Sequence, residues 1–369
     1  MLPKQCDVVI FDREGCHEII EYILKNRTDY TIVDTYIKYY YLHPFFLFLY
    51  FKNLIASMNR SQRILSTIYR VYFTTVIQII KPKVVITYID DNALYHWLIK
   101  WCKGPTYIAI QNGIRQKFHK KLVNREYSHD HFYCFGQYDI IKHSKLGHKI
   151  KYGHPIGSLR SGIFYEKTKK DSNEIYDICL ISNWLNKKKC QQSTLLCEIN
   201  EYSHKVNINL ARFIKRNTKK ISIALRTSSD EEYNYYREIF GSNAFIFKYN
   251  HQPYSSYNLL LQSELTVSFM STSVLEALSL NKKAIFIDTS MSDDYVDYDD
   301  AIRYKFTSYN LFEKKLNTIL EYTYKEYIKP LNAIKANVIN LDLNNLPQNI
   351  ISSHLIPILK GKNEPRYIE

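Results

Sequence analysis

Glu264–Asp288 reads ELTVSFMSTSVLEALSLNKKAIFID, and the order of its residue types decides the fold. Leu265–Phe269 is a short β-rich run suited to a buried strand. The hydroxyl cluster Ser271, Thr272, Ser273 follows, with Glu276 three residues after Ser273, the spacing of a capping box at a helix start. After a short helix, Asn281-Lys282-Lys283 is expected to turn the chain into a second apolar strand, Ala284–Ile287, which ends at Asp288. A strand–helix–strand unit of this length is a parallel crossover. Its helix begins at the carboxyl end of the first strand, where open α/β sheets bind ligands. Backbone N–H groups, the positive end of the dipole and three hydroxyls make that place suitable for an anion. An ordinary capped helix without a ligand accounts for the same pattern.

The same grammar runs through the rest of the chain. Asp7–Phe11, Thr31–Asp34, Val84–Tyr88 and Thr106–Ile110 read as strands of a first half, with helical periodicity over residues 45–80 and in ALYHWLIKWC. Between residues 118 and 170 the periodicity weakens: one short strand, His131–Phe135, precedes the turn-rich YGHPIGSLRSG. The charged EKTKKDSNE (166–174) reads as a linker. Beyond it, Tyr176–Ile181, Ile221–Leu225 and Ala244–Phe247 read as strands. The intervening helices are Leu195–Arg216, Asp230–Phe240 and Ser255–Gln262, and Leu311–Tyr327 is helical near the end. The expected architecture is α/β and GT-B-like, with two doubly wound Rossmann-type domains facing across a cleft. Residues 1–170 form the first domain and 171–330 the second. The tail 331–369 is expected to carry a helix that crosses back to the first domain.

Composition narrows the function. A chain of 369 residues suits two domains, and a net charge of +14 favours a nucleic acid, an anionic membrane surface or a phosphorylated substrate. Basic residues are dispersed rather than grouped into a nucleic-acid module, and neither a Walker loop nor GxGxxG is present. The seven cysteines are scattered without a CxxC pair, which reads as reduced thiols in a cytosolic protein. The chain starts directly with a strand, so no signal peptide is expected. The acidic SDDYVDYDD (292–300) reads as a solvated loop rather than a metal site. Tyr39–Phe51, YYYLHPFFLFLYF, is too short to span a bilayer. It reads as a core or interface helix, or alternatively as a peripheral membrane contact.

Candidate site residues fall at strand ends. The first half offers Asp12 and Glu14, Asp90 and Asp91, and Gln111-Asn112-Gly113. The second offers Ser182, Arg226 and Ser271–Ser273 with Glu276. Asp90 or Asp91 suits a base or nucleophile toward a sugar, as does Glu14 less directly. Helix capping by Asp91 with Asp90 solvated is the plainer alternative. Arg226 suits a bidentate grip on phosphate, or a surface salt bridge. Ser158, within His154-Pro155-Ile156-Gly157-Ser158, sits either against the cleft or in a plain turn.

The segment SFMSTSVLEALSLNKKAIFID resembles the donor-site element of GT-B glycosyltransferases. VVIFDREG, KPKVVITYIDDN, YIAIQNGIR and GHPIGSLRSG resemble bacterial surface-carbohydrate biosynthesis proteins of the capsule and lipopolysaccharide. These are related to Kdo transferases and more distantly to polymerising CDP-glycerol transferases. The resemblance spans residues 5–325. It implies a metal-independent, nucleotide-sugar-dependent transferase without a cofactor, working in the cytoplasm at the inner membrane. A CMP-activated ulosonic acid would be its donor, and a glycan or lipid-linked chain its acceptor. In this reading Ser271–Ser273 hold the donor phosphate, Glu276 caps the helix or binds the ribose, and Arg226 neutralises the leaving group. One departure concerns the Kdo-transferase motif Glu-Asp-Gly, an apolar residue and Arg, whose Asp is catalytic. Here it is Gln111-Asn112-Gly113-Ile114-Arg115. An amide is neither base nor nucleophile, so the carboxylate falls to Asp90 or Asp91, while Gln111, Asn112, Gly113 and Arg115 contact substrate. Transfer of a polyol phosphate from a CDP donor, and a non-catalytic glycan-binding or assembly role, are the alternatives.

Overall fold

The computed structural model describes residues 2–25, 29–36, 41–58, 64–115, 127–168, 174–186, 190–191, 193–248, 254–290, 295–296 and 298–361. The chain divides into two compact units. The first comprises Met1–Asn112, Arg125–Leu159 and Asp342–Glu369, and the second Gly113–Asn124 and Arg160–Leu341. The change of unit thus lies at Leu159 rather than near 170, and most of the expected linker, 169–173, lies outside the described residues.

The first unit is built on six parallel strands: β1 (Val8–Phe11), β2 (Tyr30–Val33), β3 (Val84–Thr87), β4 (Thr106–Ile110), β5 (Ser128–Cys134) and β6 (Lys149–Pro155). Their order is β2-β1-β3-β4-β5-β6. Helix α1 (Cys16–Glu18) continues as a π-helical turn, Ile19–Leu24. The periodic stretch 45–80 forms two helices, α2 (Pro44–Met58) and α3 (Ile64–Ile80), and α4 (Ala93–Trp101) follows β3. The central strands β1 and β3 are buried along their whole length because both faces are covered, which is why they read as unbroken apolar runs. Phe11, Phe73 and Tyr95 meet in this core, with the two phenylalanine rings edge to face at 6.0 Å.

The weakly periodic region hides three elements that the sequence reading left out: α5 (Gln137–Lys145), β6, and the helix Leu159–Thr168, which begins inside the turn-rich YGHPIGSLRSG and runs into the expected linker. β6 is the edge strand, and its alternation of exposed Lys149, Lys151 and Gly153 with half-buried neighbours replaces the apolar run of a central strand. Pro155 is tolerated at its end because an edge strand can spare an N–H.

The second unit repeats the architecture. β7 (Tyr176–Ile181), β8 (Ile221–Ala224), β9 (Phe245–Phe247), β10 (Ser263–Ser268), β11 (Lys283–Asp288) and β12 (Arg303–Lys305) form a parallel sheet in the order β12-β11-β10-β7-β8-β9. This is the dinucleotide-fold order, with its switch point between β7 and β10. The helices are α6 (Leu159–Thr168), α7 (Thr194–Asn217), α8 (Asp230–Phe240), α9 (Ser255–Leu261), α10 (Ser273–Ser279), α11 (Tyr309–Glu321), α12 (Tyr324–Ile328) and α13 (Asn332–Val338). Lys283, read as a turn residue, is instead the buried first residue of β11. Its Nζ donates to the Glu264 carboxylate at 2.7 Å and to the Ile319 and Leu320 carbonyls at the end of α11. A buried ammonium needs such partners, and the open carbonyls of a helix end supply them.

The last helix, α14 (Pro347–Leu359), belongs to the first unit and packs on the π-helical turn. Lys25 donates to Asn349 at 3.2 Å, and Lys83 donates to the Leu359 carbonyl at 3.0 Å.

Candidate functional site

In the second unit the loops after β7, β8 and β10 surround a cavity of about 630 Å³ at the switch point. Ser182, Arg226, Ser271, Thr272 and Ser273 line it together with Asn183 and Arg160. Five of the sequence-derived donor residues therefore share one cavity, and the sixth, Glu276, does not line it.

Glu232, on the first turn of α8, organises this cavity, and the sequence reading missed it. Its carboxylate is fully buried and accepts from the Arg226 and Thr227 N–H groups at 2.9 and 2.8 Å. It also accepts from the Ser182 hydroxyl and from Thr227 Oγ1. Tyr236 donates to Ser182 Oγ at 3.0 Å, and Trp184 N–H does so at 3.1 Å. Ser182 is thereby committed to the scaffold. Glu232 ties the loop after β8 to the end of β7 and so fixes where Arg226 leaves the backbone. The only sequence signal was Ser229-x-x-Glu232, a capping spacing in which the Ser229 hydroxyl does accept from Glu232 N–H at 3.2 Å. Asn183 plays a parallel role on the other side: its Oδ1 accepts from Ser268 Oγ at 2.6 Å and from Met270 N–H at 3.2 Å. The Arg226 side chain is exposed, and no carboxylate among the described residues pairs with it.

The Ser273–Glu276 capping box is also not formed. Helix α10 begins at Ser273 itself, Thr272 stands at the cap without a side-chain cap bond, and Glu276 is buried in the helix. Ser271 Oγ accepts from Ser273 N–H at 3.3 Å, and Thr272 Oγ1 accepts from Ile114 N–H at 3.1 Å. The seven-residue helix thus spends part of its N-terminal polarity on its own loop. The cavity itself presents two guanidinium groups, Arg160 and Arg226, together with hydroxyls.

In the first unit the switch point lies between β1 and β3. The β1 end carries Asp12, whose φ is +81° and whose carboxylate accepts from Arg13 N–H at 2.7 Å and Thr35 Oγ1 at 2.6 Å. Glu14 next to it is exposed. Gly15 follows with φ +69°, and a Cβ there would fall 2.3–2.5 Å from Tyr88 side-chain atoms, so only glycine admits this approach of β1 to β3.

At the β3 end Asp90 is fully buried, and its carboxylate lies 3.4 Å from the Asn112 N–H. Asp91 is half-buried and therefore the more accessible carboxylate. It does not cap α4. Asn92 does, accepting from Leu94 and Tyr95 N–H at 2.9 and 3.3 Å. His96 Nε2 lies 2.7 Å from the Asp90 carbonyl oxygen, so that nitrogen must carry the proton. Nδ1 lies 3.0 Å from the Ser128 carbonyl oxygen and 3.3 Å from the Ser128 N–H. Burial holds the imidazole neutral, with its pKa lowered from 6.5 to about 4.

Gln111 is 1% exposed: its Nε2 donates to Asp139 Oδ1 at 3.0 Å and its Oε1 accepts from Phe135 N–H at 3.0 Å. The amide ties β4 to the start of α5, so orientation of a substrate is not the work its two ends do here. Ser158 is likewise buried. Asn112, Gly113 and Arg115 are half-buried, and Gly113 and Arg115 belong to the second unit. Among the described residues no three His, Cys, Asp or Glu side chains are grouped to hold a metal ion.

Two doubly wound Rossmann-type units, the second with a polar, arginine-bearing cavity at its switch point, define a GT-B-like protein. Residues 108–345 match the profile of the family described as "putative O-antigen biosynthesis protein", and the chain belongs to that family. No curated protein matches the chain in sequence. Among solved structures, S. aureus MnaA in complex with UDP superposes with a TM-score of 0.56 at 10% identity, over 97% of this chain and 96% of that one. The UDP-GlcNAc 2-epimerase of Neisseria meningitidis bound to UDP-GlcNAc gives 0.54 at 14% identity, over 96% and 99%. The wall teichoic acid polymerase TagF soaked with CDPG gives 0.54 at 12% identity, over 97% and 90%. Likenesses at this level of identity establish the fold.

Proposed function

We propose that this chain is a nucleotide-sugar-dependent glycosyltransferase of O-antigen biosynthesis, with the donor nucleotide bound in the second unit. The observation that carries the reading is the switch-point cavity, large enough for a nucleotide and lined by Arg160, Arg226 and the hydroxyls of Ser271 and Ser273. Guanidinium groups fixed beside a leaving phosphate stabilise the negative charge that develops as the glycosidic bond breaks. Arg226 is the group whose placement Glu232 secures. Asp91, half-buried at the end of β3, is the proposed general base toward the acceptor hydroxyl. Buried Asp90 is proposed to hold the backbone around it. Glu14 is a second candidate base, being exposed at the end of the neighbouring strand.

The donor is proposed to be CMP-linked and ulosonic, on the strength of the motif resemblance. A CDP-linked polyol phosphate is the second enzymatic reading, supported by the fold shared with TagF. A non-catalytic glycan-binding role is favoured by one feature, the amide Asn112 where the resembling motif has a carboxylate. Calorimetry with CMP, CDP and UDP, followed by nucleotide release from the matching donors, tests these together. Binding of one nucleotide, weakened at least about tenfold by Arg226→Ala, is the expected result. If no nucleotide binds and no donor is turned over in the presence of membrane glycan, the binding role replaces the enzymatic one.

A further inference from the structure

Helices α2 and α3 pack against each other, and each turns one face to the other. On α2 the inner stripe contains buried Phe46 and half-buried Asn53, whose Nδ2 donates to Thr75 Oγ1 at 3.0 Å and to Gln78 Oε1 at 2.8 Å across the pair. The outer stripe is apolar and open to solvent: Phe45 is 54% exposed, Phe48 67%, Phe51 54% and Ile55 68%. Their spacing of three and four residues places them along a single helix face. An ordinary surface helix carries charges there. This one carries a single charged side chain, exposed Lys52, set among the phenylalanines.

The surrounding sequence has a matching bias. From Thr35 to Ile89 the chain contains no Asp or Glu, yet it contains seven Lys and Arg. A stripe of bare aromatic rings in a segment of one charge sign fits a surface that is apolar below and anionic above. α2 has 15 residues, so it is about 22 Å long, short of the ~30 Å hydrocarbon thickness. No helix among the described residues is long and apolar enough to cross a membrane. Such a helix lies in the interface plane.

We infer that the outer face of α2 docks the chain on an anionic phospholipid membrane, with Phe45, Phe48, Phe51 and Ile55 inserted among the acyl chains and Lys52 at the headgroups. The inference is independent of the donor assigned above. The full chain would be sedimented with vesicles of phosphatidylcholine alone and of phosphatidylcholine mixed with phosphatidylglycerol, at low and high salt. Binding is expected only to the anionic vesicles and should weaken with salt as the basic segment is screened. The combined variant Phe45→Ser, Phe48→Ser, Ile55→Ser should lose at least about tenfold in vesicle affinity, while its nucleotide binding stays unchanged. Phe48→Glu alone reads the same surface with one exposed substitution, should the triple variant fold poorly. Absence of binding to anionic vesicles, or equal binding by wild type and Phe48→Glu, overturns the inference. So does a mass measurement in which the stripe joins two copies of the chain and the variants dissociate them without altering vesicle binding.

Discussion

Acidification should destabilise the first unit through His96, and the sign and size follow from its surroundings. The ring is 3% exposed and meets the Asp90 carbonyl through Nε2–H and both backbone groups of Ser128 through Nδ1. Protonating Nδ1 puts a charge on a ring that burial keeps neutral, and this desolvation outweighs the hydrogen bond that Nδ1–H would gain to the Ser128 carbonyl at 3.0 Å. A base whose folded pKa lies below its unfolded value adds stability that is complete above the unfolded pKa and lost as the pH falls toward the folded one. The window runs from 6.5 down to about 4. Across the whole window the loss is about 3 kcal/mol at about 1.4 kcal/mol per pH unit, and about 2 kcal/mol of it is gone by about pH 5. Buried Asp139 works the other way. Burial lifts its pKa from 3.8 to about 6, so its stabilising effect belongs to low pH and fades as the pH rises through that range. His154 and His354, depressed by burial to about 3 and about 4, act in the same direction as His96. A difference measurement therefore isolates the one residue. Urea unfolding of wild type and His96→Gln would be followed at about pH 7.5 and about pH 5. Trp97 and Trp101, stacked at 5.0 Å on the same helix, supply the fluorescence signal. The wild type should lose about 2 kcal/mol more than the variant between the two conditions. Equal losses would refute the assignment of a buried neutral His96.

Three further outcomes are expected. Gly15→Ala should cost about 2–4 kcal/mol, combining the left-handed backbone penalty with the clash against Tyr88, as read by thermal or urea unfolding. Glu232→Gln keeps the shape but loses the charge that four donors share. It should destabilise the second unit by roughly 1.5–3 kcal/mol and weaken nucleotide binding, with calorimetry and unfolding measured on one sample. Asp91→Asn should reduce donor turnover by about 10²-fold or more with nucleotide affinity unchanged, and full activity would shift the base to Glu14 or Asp90.

The parallel sheets were legible because their central strands are covered on both faces, so Val84–Thr87 and Ile178–Ile181 appear as apolar runs ending abruptly in polar residues. The edge strand β6 was not, since one of its faces is wet and its lysines imitate a loop. Local spacing also misled where two neighbours competed for one task. Ser273-x-x-Glu276 has the form of a capping box, but the helix starts one residue too early for it, and Asn92 rather than Asp91 holds the first turn of α4. At the candidate site the cavity-lining hydroxyls and Arg226 could be named from strand ends alone. Glu232 could not, because its value lies in meeting Ser182, 50 residues away. Arg160 was passed over inside a stretch dominated by turn formers, where nothing local distinguishes it from a solvated arginine.

The place of α14 has a consequence for biosynthesis. Its contact with the π-helical turn joins residues 324 positions apart, as between Lys25 and Asn349. A chain emerging from the ribosome offers the first sheet early, but the helix that packs on that turn is made more than 300 residues later. The second unit needs nothing beyond Leu341 and can fold while the first still lacks its final segment. Until α14 arrives, the turn Ile19–Leu24 lacks one of its packing partners, so a stop codon ahead of Pro347 should raise the chain's dependence on chaperones.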